Sequence, residues 1–398
     1  MQTNGTCNPA FEAVRDAFAA NFDAGGELGA CVAVTVNGEP VVDLWAGLAA
    51  SDGRPWERDT IVNVYSSTKT MASLCVLMLA DRGKLDLEAP VATYWPEFAQ
   101  NGKGGVLVSH VMAHSAGLPG FDPPLQVTDW YDWKKCCDNL AAQAPWWQPG
   151  TAVGYHAITQ GYLQGELVRR IDGRTLGTFF REDVAEPLGA DFHIGLDAAH
   201  DRRVAELVPP AHLFSEAYAG EPGSVAARMG IGPQPDATEP ATRAWRAAEI
   251  PAGNGHGNAR SMARIHSVLA CGGALGDVRF LSEKTLARVL EVQIEGNDLT
   301  FNMPMRFGMG YGLPSELMPL PSERAFGWAG WGGSIAIIDL DARMSIAYAM
   351  NRMFPEIIGD MRAANIIMAA YTSLATATAA APVATPATAR PGASSQMA

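Results

Sequence analysis

The residues best suited to chemistry in this chain are Ser66 and Lys69, the ends of Ser66-Ser67-Thr68-Lys69. A serine hydroxyl is a poor nucleophile until a neighbouring base takes its proton, and a lysine whose amine is desolvated can be that base. Three residues on a helix is close to one turn, so the two side chains would share a face. Lysine is scarce here: the chain has six, and only Lys69 follows a serine by three positions. Taken alone, the pattern also fits a helix cap followed by a solvent-facing lysine. Two further groups bear on the choice. Tyr155 lies in Gly154-Tyr155-His156-Ala157, just after the turn Gln148-Pro149-Gly150-Thr151 and just before a helical stretch reaching about Arg170. The segment Phe326-Gly-Trp328-Ala-Gly330-Trp331-Gly-Gly333 is dense in glycine at the start of a strand, which implies close approach to its backbone by another group, a ligand being one candidate.

These residues need elements to position them. Thr60 to Tyr65 reads as an extended segment leading into Ser66. Behind it Met71, Leu74, Cys75, Met78 and Leu79 recur at i, i+3, i+4, i+7 and i+8, which predicts a core helix with one buried stripe. Ser66 then sits at a helix N-terminus, where developing negative charge is favoured. Near the start of the chain a helix over Asn8 to Phe22 precedes strands Cys31–Val36 and Val41–Leu44, joined by an Asn37-Gly38 turn. Near the end, Ser334–Asp339 and Met344–Met350 form a second hairpin, and a helix is expected from Phe354 to Leu374 with Pro355 in its first turn. The simplest arrangement pairs both chain ends in one antiparallel sheet and folds the middle into a helical lobe. From Ala375 the chain is rich in Ala, Thr and Pro, and a disordered tail is expected over 375–398.

Other chemistries find little support. G-x-S-x-G, H-E-x-x-H, P-loop and EF-hand patterns are absent. Gly253-Asn-Gly-His-Gly257 breaks the dinucleotide-binding spacing and reads better as a loop into a helix capped by Asn258 and ended by Gly272-Gly273. The 398 residues carry 29 Lys+Arg against 42 Asp+Glu, a net charge of −13, which argues against nucleic acid as a partner. No apolar run is long enough for a membrane span, and Met1-Gln2-Thr3-Asn4-Gly5 is unlike a signal peptide. A cytoplasmic location is expected, with Cys7, Cys31, Cys75, Cys136, Cys137 and Cys271 as thiols and no metal site at Cys136-Cys137.

Ser66-x-x-Lys69, then Tyr155, then Trp328-Ala329-Gly330 resembles the motif set of the serine β-lactamase and penicillin-recognising superfamily, above all its class C-like branch, the family VIII carboxylesterases. His114-Ser-Ala-Gly-Leu-Pro119 and Asp81-Arg-Gly-Lys-Leu-Asp-Leu87 strengthen the likeness, which spans about residues 10 to 372. The resemblance implies an α+β fold of the β-lactamase/transpeptidase type: a sheet domain from residues 1–65 and 258–374, a mostly helical lobe at 66–257, and the active site between them. It implies Ser66 as nucleophile, Lys69 and Tyr155 sharing the proton traffic, and an oxyanion hole from the backbone N–H groups of Ser66 and Trp331. Trp328, Gly330 and Gln126 are then expected to bind substrate. No metal or organic cofactor is implied. Two departures shape the substrate. The family's Tyr-x-Asn is Tyr155-x-Ala157 here, and Trp328 stands where lactamases begin Lys-Thr-Gly. An indole in place of a cation favours neutral esters over anionic β-lactams. A β-lactamase, a D-alanyl-D-alanine peptidase, an acyltransferase or amidase, and an inactive binding protein are the alternatives. His156 and His256 are expected to be hydrogen-bonded loop histidines. Trp130, Tyr131, Trp133, Trp146 and Trp147 are expected mainly in the lobe core, and Met303, Met305 and Met309 under the site's rim.

Overall fold

A computed structural model describes residues 2–211, 220–233 and 236–380. Both chain ends meet in one six-stranded antiparallel sheet. Its strands are β1 (Asn4–Cys7), β2 (Gly29–Val36), β3 (Glu39–Gly47), β4 (Ala325–Ala329), β5 (Ile335–Asp339) and β6 (Met344–Met350), in the order β1-β3-β2-β6-β5-β4. The two expected hairpins are there. Asn37 and Gly38 both have positive φ, 53° and 83°, as a two-residue hairpin turn with matching twist requires. The ends are joined through β2 and β6, with Ala33 opposite Ala347. Edge strand β1, pairing Asn4 with Trp45, was not anticipated: Asn-Gly-Thr-Cys carries no apolar alternation.

β2, β5 and β6 are buried along almost their whole length, so both sheet faces must be covered. Helices α1 (Glu12–Asp23), α4 (Ala259–Ala270) and α5 (Met361–Ala380) cover them; α1 packs on α5, and α4 lies on β2, β5 and β6. The Asn258 side chain caps α4 by accepting from Ser261 N–H at 2.9 Å, and Gly272 and Gly273 follow it with φ of 90° and 88°.

Two expectations about the last helix need correction. It begins at Met361 rather than Phe354, because Gly359 turns the chain at φ 64° and Asp360 caps Arg362 N–H at 2.8 Å, which leaves Pro355 in the preceding loop. It also continues through 375–380, the first six residues assigned to the tail; 381–398 lie outside the described residues.

Helix α2 (Lys69–Asp81) differs from its expected single stripe. Every residue from Lys69 to Leu79 is buried, since α2 runs between the sheet's packing and helix α3 (Thr159–Asp172) of the lobe. The middle of the chain is also less helical than expected. Val62–Asn63, His256–Gly257 and Phe192–His193 form a small sheet that ties the segment leading into Ser66 to the lobe. No helix among the described residues is long and apolar enough to cross a membrane.

Candidate active site

Ser66 sits on a single 3₁₀ turn, Tyr65–Thr68, that feeds directly into α2. The turn is entered through Tyr65 at φ 41°, a left-handed conformation costly for a bulky residue and often kept at functional turns. Side chains hold it in place. Thr68 Oγ1 donates to Tyr65 O at 2.5 Å and accepts from Gly255 N–H at 2.9 Å. From the other side, Ser334 Oγ donates to Val64 O at 2.8 Å and lies 3.0 Å from Ser67 Oγ. The strand edge therefore lies hard against the Ser66 turn. A Cβ on Gly330 would fall 2.1 Å from Val64 O and 3.1 Å from Ser66 N, so only glycine fits there. This close approach, and not a ligand, explains that glycine.

Lys69 is the first residue of α2 and is 2% exposed. Its Nζ is 3.1 Å from Ser66 Oγ, 2.7 Å from Ala157 O and 2.8 Å from Ala252 O. Burial holds the amine well below the ordinary lysine value. A neutral amine has two N–H groups and one lone pair. The two carbonyls can take both N–H groups of such an amine, which leaves its lone pair for the third contact, the Ser66 hydroxyl. Ala157 lacks the amide of the family's Tyr-x-Asn, yet its backbone carbonyl takes part.

Tyr155 is also buried, with its ring 4.8 Å from Lys69 Nζ. The Trp328 indole N–H donates to Tyr155 Oη at 2.8 Å. Burial raises the phenol above its ordinary value, while hydrogen bonds with Ser66 and Trp328 act against it. The backbone is pinned too: Tyr155 N–H donates at 2.6 Å to Asp298 Oδ2, whose other oxygen caps Thr300 and Phe301 N–H. Burial raises Asp298 above the usual carboxylate range.

Ser66, Lys69, Tyr155, Gly330 and Trp331 thus meet at one place, beside a cavity of about 300 Å³ that Ser66, Tyr155 and Trp331 help to line. Its walls are mainly apolar, with Phe121, Leu125, Trp130, Trp146, Phe301 and Ile357 among them. Two expected substrate contacts are corrected. Gln126 is exposed and outside the cavity wall: its backbone N–H donates to Asp129 Oδ2 at 2.8 Å as a 3₁₀ turn begins, which aims it away while Leu125 faces inward. Trp328 is 5% exposed and packs among Tyr155, Met305 and Phe307; its N–H is spent on Tyr155 and does not face the cavity. Trp130 and Trp146 form cavity wall, whereas Trp133 and Trp147 are tied into the lobe by hydrogen bonds to Glu166 and Ala152. His156 uses both ring nitrogens internally, with Gly154 O and Leu118 N–H, as expected for a loop histidine; His256 Nδ1 is hydrogen-bonded to Asn254 O as expected, but His256 lies on a strand of the small sheet and not in a loop. Of the methionines, Met305 packs beside Tyr155 and Met309 lies in the main core. The carbonyls of Ala157 and Ala252 and the carboxylate of Asp298 escaped the sequence reading, because backbone groups have no residue signature and Asp298 is distant from every motif.

The beta-lactamase family matches residues 14–370. The chain belongs to the beta-lactamase family. It is similar to the esterase/beta-lactamase LipL of Mycobacterium tuberculosis, 36% identical over 378 residues that cover 89% of this chain and 84% of that protein. Among solved structures it resembles a family VIII carboxylesterase at 44% identity and TM-score 0.87, covering 94% of this chain and 100% of the other. It also resembles EstA of Arthrobacter nitroguajacolicus Rue61a at 30% identity and TM-score 0.83, covering 94% and 99%.

Proposed function

We propose that the protein is a serine carboxylesterase that hydrolyses neutral, short-chain esters through an acyl-enzyme on Ser66. The observation that carries this reading is the Lys69 amine, buried without a carboxylate partner among the described residues and held by two carbonyls, with Ser66 Oγ as its third contact at 3.1 Å. Ser66 Oγ attacks the ester carbonyl as Lys69 Nζ takes its proton. The carbonyl oxygen, now negative, is received by the N–H groups of Ser66 and Trp331. Loss of one such donor typically costs about 10²–10³ in rate. Tyr155 Oη, beside both Ser66 and Lys69, passes the proton to the departing alkoxide; as a neutral phenol it can donate one and accept another. Water then attacks the acyl-enzyme and the same groups return Ser66 to its hydroxyl form.

Neutral substrates are favoured because Trp328 gives its N–H to Tyr155 and supplies no charge. The cation at the cavity rim, Arg228, is already paired with Asp122 and stacked 4.0 Å from the Trp146 ring centre. Support for esters also comes from the esterases among its relatives. The same reading puts the enzyme in the cytoplasm, where six unpaired cysteines persist as thiols, and gives it a small-molecule ester as substrate. β-Lactam hydrolysis is the second reading, favoured by the name of the Mycobacterium tuberculosis relative. Comparing kcat/KM for p-nitrophenyl butyrate and a chromogenic cephalosporin separates the two: the ester is expected to lead, and a cephalosporin far ahead of it would overturn the assignment.

A further inference from the structure

Gly332 and Gly333 are not explained by the nucleophile turn. Their φ values are 95° and 123°, and each is crowded from the C-terminal side of the chain. A Cβ on Gly333 would fall 2.4 Å from Asp360 Oδ2 and 2.6 Å from Arg362 Nη2. Arg362 is 4% exposed although it begins a helix, and its guanidinium is fully engaged. Nη2 donates to Gly332 O at 2.7 Å and to Asp360 Oδ2 at 2.6 Å. Nη1 meets Gly26 O at 3.0 Å, Arg352 O at 2.9 Å and Glu27 Oε2 at 3.1 Å. The Phe354 ring closes over it at 3.8 Å. Two more bonds hold the same turn, Phe354 N–H to Gly332 O at 3.1 Å and Gly332 N–H to Glu356 O at 3.2 Å. One buried planar cation thus joins three segments: the lead into β2, the loop 352–360, and the turn 330–333 after β4. A planar fork with five donors in fixed geometry is suited to this, and a lysine is not.

We infer that Arg362 is a positioning residue for the oxyanion-binding turn: through Gly332 O it sets where the Trp331 N–H points relative to Ser66. The inference rests on the acyl-enzyme reading above. Nothing in Arg362 touches the cavity, so its effect must pass through the backbone. A displaced donor weakens the transition state more than the bound ester, because the negative oxygen exists only there.

The test uses Arg362→Lys and, as a milder lesion that keeps the guanidinium and the helix cap, Asp360→Asn. Folding is checked by near-ultraviolet circular dichroism, and kinetics are read on p-nitrophenyl butyrate. Inhibition is read with butylboronic acid, which adds to Ser66 and places an oxygen in the oxyanion site, and with butyrate, which does not. For Arg362→Lys the expected result is a fall in kcat of about 10–10²-fold, KM within about threefold, and boronate inhibition weakened in parallel with kcat while butyrate inhibition holds. Asp360→Asn shows the same pattern with a smaller loss, and decides the matter where Arg362→Lys does not fold. An unchanged kcat in a folded variant, or boronate and butyrate inhibition weakened alike, overturns the inference. Failure of boronate to inhibit the wild type overturns instead the acyl-enzyme reading on which it rests.

Discussion

Two of the six lysines are buried, and they are built differently. Lys69 Nζ meets two carbonyls and the Ser66 hydroxyl. Lys103 Nζ meets three carbonyls, those of Gln100, Ala141 and Gln143, under the Phe98 ring. Burial lowers both amines, Lys103 to about 8. Three carbonyls use all three N–H groups of an ammonium, so Lys103 stays charged at pH 7 and ties the end of helix Trp133–Ala142 to the turn at Gln100. In the proposed mechanism, exchanging one carbonyl for a hydroxyl beside a cavity lets the same buried side chain act as a base. On that proposal desolvation alone does not make a catalytic lysine; the third partner does.

That contrast can be broken by experiment. Lys69→Met is expected to lower kcat for p-nitrophenyl butyrate by about 10³–10⁴-fold, near the upper range for a lost general base. Lys103→Met is expected to leave kcat within about threefold but to cost about 2–4 kcal/mol in urea unfolding, since it strands buried carbonyls. If both variants lost activity alike at equal stability, the distinction would fail. Next in size, Tyr155→Phe should cut kcat by about 10²–10³-fold through the lost proton relay. Trp328→Phe, which removes only the N–H reaching Tyr155 Oη, should cost about tenfold, a charge-neutral hydrogen bond's worth. The reverse ranking would return Trp328 to the substrate.

The pH profile sharpens the same point. Lys69 must be neutral to act, so kcat/KM falls as pH drops and the amine takes a proton, along an acid limb well below the ordinary lysine value. Lys103→Met should keep that limb in place, and its movement would mean that the wrong lysine had been assigned. The smallest effect expected is that of Gln126→Ala, whose exposed side chain lies off the cavity wall, with kcat/KM within about twofold of wild type.

What could be read from the sequence follows from how each group is specified. Ser66 and Lys69 were legible because the helix period fixes their relation, and the two hairpins because turn chemistry and apolar runs agree. Tyr155 and the strand-edge segment stood out locally, by a preceding turn and by glycine density, but only the family resemblance tied them to Ser66, since nothing local links them. Lys103 was invisible: its partners are backbone carbonyls from a distant helix end. Gln126 was misplaced because a loop's side-chain direction is set by hydrogen bonds such as Asp129 to its N–H, which no periodicity reveals. Trp328 was expected to meet substrate but faces Tyr155, a choice made by packing against Met305 and Phe307. The start of α5 was misjudged because Pro355 suggested a first turn, while Gly359 and Asp360 place it at Met361, seven residues after Phe354.

The central claim is that Ser66 is the nucleophile and Lys69 its base. Intact mass measurement with peptide mapping after brief exposure to a fluorophosphonate tests it most directly. The account predicts one adduct, on Ser66, formed far more slowly in Lys69→Met and absent in Ser66→Ala. An adduct on any other residue, or undiminished labelling in Ser66→Ala, would contradict it.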